Sequence, residues 1–236
     1  MGLLPPPAYA GSFKLGIMKI VKYFKNTQLN KIWTQVPANY YFNLNMFQKV
    51  WHNWKWNIIK YLLRKNNLKS KKILDLSCAG GHFTALLFSK YPKATVIGVD
   101  IYKNVIREAI NRYPEIKFII ADAHKLPFKK DTFDLVVSTE TIEHVAKPEK
   151  VIQEIYRVLN KNGKLIIEMD SGSKLFKIIW YIWTQYGKGK VWQGSHLHNL
   201  NAQKLTRLIS NQNFIINQKM FSHLGMAITI IATANK

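Results

Sequence analysis

The fold of this chain is decided by thirteen consecutive residues, Lys72-Ile73-Leu74-Asp75-Leu76-Ser77-Cys78-Ala79-Gly80-Gly81-His82-Phe83-Thr84. Apolar residues open the stretch, which is typical of a central strand that is covered on both faces. Small side chains follow, and they let the backbone turn sharply and come close to a ligand. Phe83, Leu86 and Leu87 then recur at helical spacing. The stretch therefore predicts a strand, a tight turn and a helix whose first amides point at a nucleotide-like ligand.

An alternation of strands and helices continues after this stretch. Helices are predicted over residues 82–90, from about 103, over 148–159 and over 202–210. Apolar segments predict further strands at 94–100, 115–121, 132–138, 164–169, 214–221 and 226–233. Strands that alternate with helices are typical of an α/β fold built on a mostly parallel sheet.

Polar side chains stand where the predicted strands end. Asp75 and the turn at 77–81 belong to the first strand, Asp100 closes the second, Asp122 follows the third and Thr139 the fourth. Ligands of open parallel sheets bind beyond the carboxyl ends of the strands, so these groups can surround one molecule. Asp100 can accept hydrogen bonds from ribose hydroxyls, cap the helix that follows, or do both. Taken alone, the turn could also be a tight connection that binds nothing.

Two segments resemble motifs of the class I S-adenosylmethionine-dependent methyltransferases. The turn resembles their Asp-x-Gly-x-Gly-x-Gly motif, with Ser77 and Ala79 at the first two glycines and Gly81 at the third. The run from 133 to 169 resembles the ubiquinone- and menaquinone-biosynthesis (methyltransferase type 11) group, through Phe133-Asp134, Glu143-His144 and Arg157-Val158-Leu159-Asn160-Lys161-Asn162-Gly163-Lys164-Leu165. The resemblance covers about residues 70 to 170.

This resemblance implies a Rossmann-like sheet of seven strands, mostly parallel, with helices on both faces, an antiparallel last strand and N-terminal helices. It implies S-adenosyl-L-methionine as cofactor, with Asp100 on the ribose, Asp122 on the adenine and the backbone of the turn on the methionine moiety. The full implied set is Asp75, Ser77, Ala79, Gly81, Asp100, Ile101, Asp122, Ala123 and Thr139. A methyltransferase domain over 67–236, with an aromatic insertion at about 173–194, would follow a basic, aromatic helical extension and lid over 1–66.

Two histidines are candidates for removing a proton from the methyl acceptor. His144 follows the fourth strand, and His196 is expected behind it. His144 can also be a structural residue at a helix entry. His196 and His198 form a His-x-His pair, but with no third ligand expected in reach we predict no metal site.

The net charge of +22 is concentrated in the two flanks of the chain. All 13 acidic residues lie between Asp75 and Asp170, where 14 lysines and arginines nearly balance them. The preceding residues carry 13 basic side chains, the following ones carry 8, and neither flank contains an acid. This asymmetry indicates an anionic partner such as a phospholipid surface, a nucleic acid or a phosphorylated substrate. A lysine-rich proteome would explain the lysines, although not the missing carboxylates.

The residues before the first strand predict two helices. Residues 13–24 form a basic amphipathic pattern, which suits either a membrane interface or docking on the protein itself. Residues 44–64 contain Trp51, Trp54 and Trp56, and such aromatic density is typical of a core or a lid. No apolar run approaches the roughly 18 residues that cross a bilayer. A single cysteine, Cys78, favours a reducing, cytoplasmic compartment, with peripheral membrane association as an option.

Three functions are compatible with these patterns. The first is methylation of a small molecule or lipid at an anionic membrane surface. The second is methylation of RNA, such as tRNA, with the basic flanks on phosphates and tryptophans on bases, although no separate RNA-binding module is evident. The third is S-adenosylmethionine binding without catalysis, which the missing glycines at Ser77 and Ala79 favour.

Overall fold

A seven-stranded sheet forms the centre of the protein. The computed structural model describes residues 32, 35, 44–66, 71–187 and 189–236, and the amphipathic pattern at 13–24 lies outside them. The strands are β1 Lys72–Leu76, β2 Thr95–Asp100, β3 Lys117–Ile120, β4 Phe133–Thr139, β5 Leu159–Asp170, β6 Phe214–Ser222 and β7 Ala227–Ala234. The helices are α1 Met46–Lys65, α2 His82–Lys90, α3 Lys103–Arg112, α4 Pro148–Val158, α5 Lys174–Tyr186 and α6 Ala202–Ser210, with a short 3-10 helix at Lys190–Trp192.

The strand order is β3-β2-β1-β4-β5-β7-β6. The first five strands of this order pair in parallel, and β7 runs antiparallel to both of its neighbours. The antiparallel last strand that the resemblance implies is therefore confirmed. The chain order reverses between β1 and β4, which makes their carboxyl ends the switch point where ligands bind in such sheets.

Alternate residues of the strands build two cores on opposite faces of the sheet. Leu74 of β1 and Val136 of β4 pack with α4 and α6 on one face. Ile73 and Leu135, their neighbours in sequence, pack with α1 and α2 on the other. Because both faces are covered, β1 and β4 read as continuous apolar runs. Helix α1 thus belongs to the same core as the sheet. The domain boundary expected between residues 66 and 67 stays a prediction.

Two segments differ in detail from the sequence-based prediction. Strand β5 begins at Leu159, which pairs with Phe133, but the next pair along is Leu135 with Lys164, so the intervening residues bulge out of the ladder. Asn162 has φ of +60° there, which accounts for the turn signal of Asn162-Gly163. The aromatic insertion, for which no helix was predicted, contains α5 and the 3-10 helix.

None of the described helices combines the length and the apolar character needed to span a bilayer.

Candidate active site

A cleft opens at the carboxyl ends of β1, β2 and β4. It encloses about 1070 Å³, the part open to solvent included. It brings together most of the predicted site residues, namely Asp75, Ser77, Ala79, Asp100, Ile101, Asp122, Ala123, Thr139 and His144. Of the predicted residues, Gly81 and His196 are not among those that line it.

The turn after β1 has the backbone of a glycine-rich loop without the glycines. Ser77 has φ of +62° and Ala79 φ of +47°, in the left-handed region that disfavours side chains by about 1–2 kcal/mol per residue. The amide of Cys78 donates to the Val99 carbonyl at 2.9 Å. The amide of Ala79 donates to Asp100 Oδ2 at 3.0 Å. Hydrogen bonds to β2 therefore hold this conformation in place.

Gly81 is needed for packing behind the cleft. Its φ is +79°, and a Cβ at this position would lie 2.7 Å from Cζ of Phe118. Gly98 of β2 has the same neighbour, since a Cβ there would lie 2.6 Å from Cδ1 of Phe118. The ring of one phenylalanine thus fills the space that two glycines leave free.

Two buried carboxylates lie under the turn. Asp100 accepts a second backbone hydrogen bond from Tyr102 at 2.9 Å, and burial raises its pKa to about 6. Helix α3 has Tyr102 at its N-cap and no side-chain cap, so the capping role considered for Asp100 is not observed. Asp75 accepts from the hydroxyl of Thr84 at 2.6 Å, which ties β1 to α2. Burial raises the pKa of Asp75 to about 7.

Asp122 lines the cleft after β3, the strand that pairs with β2. Its Oδ1 accepts from the amide of His124 at 2.9 Å and lies 2.6 Å from His124 Nδ1. The amide of Lys147 donates to His124 Nε2 at 3.1 Å, so Nδ1 of the neutral ring carries the proton. Burial works to raise the pKa of Asp122, but the hydrogen bonds from His124 outweigh it and lower that pKa.

Comparison with protein families decides what kind of domain carries this cleft. A family model described as a methyltransferase domain matches residues 67–213, more than half of the chain. The chain belongs to the class I S-adenosyl-L-methionine-dependent methyltransferases. This membership confirms the family, the enzyme class and the cofactor that the sequence resemblance implies.

Curated relatives of this methyltransferase share its central part. The ubiquinone/menaquinone biosynthesis C-methyltransferase UbiE of Desulfotalea psychrophila is 35% identical over 97 residues, which cover 40% of this chain and 39% of the relative. The malonyl-[acyl-carrier protein] O-methyltransferase of Legionella pneumophila is 32% identical over 117 residues, 48% of this chain and 41% of the relative. The chain thus spans less than half the length of these relatives.

Solved structures share the methyltransferase fold over a larger part of the chain. The PH0226 protein of Pyrococcus horikoshii has a TM-score of 0.64 at 21% identity, covering 90% of this chain and 98% of that one. A SAM-dependent methyltransferase of Aquifex aeolicus has a TM-score of 0.59 at 15% identity, covering 74% and 88%. At these identities the likeness shows the fold.

An ion-pair group at the edge of the methyltransferase cleft was missed by the sequence analysis. Lys55 of α1 is 2% exposed, and its Nζ lies 2.9 Å from Glu140 Oε1 and 3.5 Å from Glu168 Oε2. Burial would raise the pKa of Glu140, but Lys55 lowers it to about 2. Burial raises the pKa of Glu168 to about 8, against the effect of Lys55. A lysine between Trp54 and Trp56, and a glutamate within an apolar strand, were the available signals.

The two candidate histidines of the methyltransferase meet beside the cleft. Their ring centroids lie 5.0 Å apart, and His196 stacks on Trp180 of α5 at 4.5 Å. Nδ1 of His144 lies 2.7 Å from the carbonyl oxygen of Ser195. Burial lowers the pKa of His144, and burial together with His144 lowers the pKa of His196 to about 4. Both rings are therefore neutral near pH 7, with lone pairs that can accept a proton.

The ring of His198 turns away from this pair. Its Nε2 lies 2.9 Å from the carbonyl oxygen of Val145. The sequence analysis expects no third ligand near His196, whereas the structure places Glu143 and His144 within reach, their ligand atoms and that of His196 all lying within 4.8 Å of one another. His196 lies more than 50 positions after Glu143 and His144 in the sequence, a separation that spacing alone does not connect.

Proposed function

We propose that this chain transfers the methyl group of S-adenosyl-L-methionine to a small-molecule or lipid acceptor, in the cytoplasm and at an anionic membrane surface. The proposed methyl transfer is supported by one observation. The left-handed turn, Asp100, Asp122 and His144 all line the same cleft. The relatives whose names give an acceptor act on quinone precursors, malonyl-[acyl-carrier protein] and trans-aconitate. These names favour a small acceptor.

The lining residues fit this cofactor. Asp100 is a buried carboxylate with two backbone donors, and its two oxygens keep lone pairs for further donors such as ribose hydroxyls. Asp122 and Ala123 lie next to it in the lining, where adenine would be held. The bound cofactor supplies a methyl group already activated by the sulfonium charge. The protein then has to orient an acceptor in line with that methyl group and exclude water.

His144 is the group that can take the acceptor's proton. The carbonyl of Ser195 holds the proton of His144 on Nδ1, which leaves the lone pair of Nε2. His144 lines the cleft, so this nitrogen is available to a hydroxyl or amine of the acceptor. An acceptor carbon would require no such base.

The membrane part of the proposal is supported by one face of α5. Its exposed apolar side chains recur at helical spacing, at Leu175, Ile178, Ile179, Ile182 and Tyr186. The residues after Asp170 contain lysines and arginines but no acid. An apolar helix face in a basic segment suits the boundary of an anionic bilayer, where each basic residue contributes about 1 kcal/mol.

A methyl-transfer assay with the tritiated cofactor tests this function. Separated lipid, small-metabolite and RNA pools are offered to the protein, with Asp100→Ala as the variant that should lose cofactor binding. We expect label in the lipid or small-metabolite pool and none with Asp100→Ala. Label confined to RNA would identify an RNA methyltransferase instead, and cofactor binding without label in any pool would indicate a protein that binds but does not catalyse.

A further inference from the structure

Glu143 has a buried carboxylate without a hydrogen-bond partner. Its side chain is 1% exposed, and among the described residues neither carboxylate oxygen has a hydrogen-bond partner. A buried polar group left in this way costs about 1–3 kcal/mol, and more when it is charged. Native structures pair nearly all such groups, so an exception calls for a ligand or a chemical role. Lys55 forms ion pairs with Glu140 and Glu168 nearby.

Two imidazole rings face this carboxylate. His144 Nε2 lies 3.9 Å from Glu143 Oε1, and one atom from each of Glu143, His144 and His196 falls within 4.8 Å of the others. Ligand atoms around tetrahedral zinc lie about 3.3 Å apart, given bonds of about 2.0–2.1 Å. Side-chain adjustments of about 1 Å would therefore bring the three atoms onto one ion.

The tautomer of His144 suits metal binding. Histidines that bind metals commonly donate their second ring N–H to a carbonyl or carboxylate, which fixes the ring and exposes the other nitrogen. The carbonyl of Ser195, 2.7 Å from Nδ1, serves this purpose for His144. The nitrogen that remains is Nε2, on the side of Glu143.

The position of His196 is fixed by the loop that carries it. The amide of Leu197 donates to the carbonyl of Glu143 at 3.0 Å, and His198 bonds to the carbonyl of Val145 at 2.9 Å. The ring of His196 also lies nearly parallel to Trp180, at 17°. The loop is thus hydrogen-bonded to residues 143–145 both before and after His196. These bonds keep Glu143, His144 and His196 close together without a ligand.

We propose that Glu143, His144 and His196 bind a divalent transition-metal ion beside the cleft. Two imidazole nitrogens and one carboxylate oxygen form a donor set that suits Zn²⁺, Mn²⁺ or Fe²⁺ better than Mg²⁺ or Ca²⁺, which prefer oxygen ligands. Three protein ligands leave coordination positions open, as in catalytic metal sites.

The ion would border the space for the acceptor, because His144 both lines the cleft and supplies a ligand. A bound divalent cation lowers the pKa of a coordinated oxygen acid, so the open positions favour acceptors that carry a hydroxyl. In this arrangement Nε2 of His144 is a ligand and no longer takes the proton. The ion would acidify a coordinated acceptor hydroxyl, whose proton would pass to solvent water before its oxygen takes the methyl group from the sulfur of the cofactor. This step rests on the proposed methyl transfer, whereas the binding site itself does not.

Metal titration of tag-free, chelator-treated protein tests the site. We expect one Zn²⁺ or Mn²⁺ per chain by calorimetry, with affinity reduced at least tenfold in Glu143→Gln and in His196→Asn. His198→Gln is the matched control, because it lies in the same loop and keeps a donor for Val145; its affinity should stay within twofold of the parent protein. Circular dichroism checks that each variant is folded.

Three results would overturn the metal site: no stoichiometric binding of either ion, parental affinity in both Glu143→Gln and His196→Asn, or an equal loss in His198→Gln. Cofactor affinity measured on the same samples separates this failure from failure of the methyltransferase function. If the site holds, chelation should reduce transfer to hydroxyl acceptors at least tenfold and added Mn²⁺ should restore it. Unchanged methyl transfer after chelation would overturn the proposed role of the ion in activating a hydroxyl acceptor.

Discussion

Ser77 and Ala79 adopt left-handed backbone conformations although neither is glycine. The absence of glycine at these two positions favoured a protein that binds the cofactor without catalysis, yet the backbone retains the conformation that glycine normally provides. The hydrogen bonds of Cys78 and Ala79 to β2 supply what the residue types do not. The substitutions therefore cost stability rather than the shape of the turn.

Ser77→Gly should accordingly stabilise the protein. Glycine relieves the strain energy of the left-handed backbone, and this gain is larger than the free-energy cost of the extra conformational entropy that glycine gives the unfolded chain. The free energy of unfolding should therefore rise by about 0.5–1 kcal/mol. Ser89→Gly, the same change at an exposed position of α2, should lower it by about 0.5 kcal/mol. Urea denaturation of both variants measures the difference, and a loss in Ser77→Gly as large as in Ser89→Gly would contradict the expectation.

Asp100 should make cofactor affinity depend on pH. Its pKa is raised by burial to about 6, and ribose hydroxyls bind the ionised form, so affinity is complete above this pH and falls as the pH drops through it. At pH 5 the dissociation constant should be about tenfold larger than at pH 7.5. Isothermal calorimetry measures it. Asp100→Asn should bind weakly with a flatter profile, and an unchanged profile would assign the titration to a neighbour such as Asp75.

The residues of the cleft were predictable to different degrees. Asp100, Asp122 and Thr139 follow strands, and a strand end fixes where a side chain emerges, so the sequence brings them together. Lys55 meets Glu140 across 85 positions, and His144 meets Ser195 across 51. Such contacts depend on how α1 and the loop after α5 pack, which local patterns do not encode.

At the scale of elements, α1 is attached to the sheet by a charged contact as well as by its apolar stripe. Ile59 and Leu62 are fully buried against the sheet, while Lys55 reaches the ends of β4 and β5 through Glu140 and Glu168. His52, Lys55 and Trp56 also line the cleft. The helix therefore forms a wall of the site.

Lys55→Met should destabilise the protein by about 3 kcal/mol. The methionine fills the space of the lysine stem but leaves the half-buried Glu140 and the buried Glu168 without a cation. Lys60→Met, on an exposed position of the same helix, should change the free energy of unfolding by less than about 0.5 kcal/mol. Chemical denaturation compares the two, and equal effects would show that the contact of Lys55 contributes nothing specific.

Most elements were predicted within a few residues, because their apolar spacing or their turn signals are clear. Helix α5 is the exception, since its segment was predicted only as an aromatic insertion. Apolar residues occur on both its buried and its exposed faces, for example Phe176 and Ile178, so the spacing shows no contrast. The antiparallel direction of the last strand came from family resemblance, because periodicity does not specify which strands pair or in which direction.

At the scale of the whole molecule, charge is distributed unevenly along the chain. The acids lie between Asp75 and Asp170, and the basic excess lies on either side. A basic excess of this kind favours contact with an anionic surface. The exposed apolar face of α5 lies in one of the basic flanks.

Ile182→Asp should weaken binding to anionic vesicles. The side chain is 53% exposed on α5, and a carboxylate there removes apolar contact and adds repulsion from anionic lipid. Ile110→Asp on α3 is the matched control, since Ile110 is 46% exposed in the balanced part of the chain. Co-sedimentation with phosphatidylserine-containing vesicles should fall at least threefold for Ile182→Asp alone. Equal binding to neutral vesicles would count against the membrane surface.

The phenylalanine that fills the space beside two glycines has a consequence for evolution. A methyl group at Gly98 would meet both the ring of Phe118 and Sγ of Cys78, and one at Gly81 would meet the same ring in a backbone with φ of +79°. Residues 98 and 118 should therefore covary among descendants of this chain, and a mutational path that enlarges Gly98 should first reduce the residue at 118. Library selection for folded variants would reveal this as epistasis between strands that adjoin in the sheet but lie about 20 residues apart in sequence.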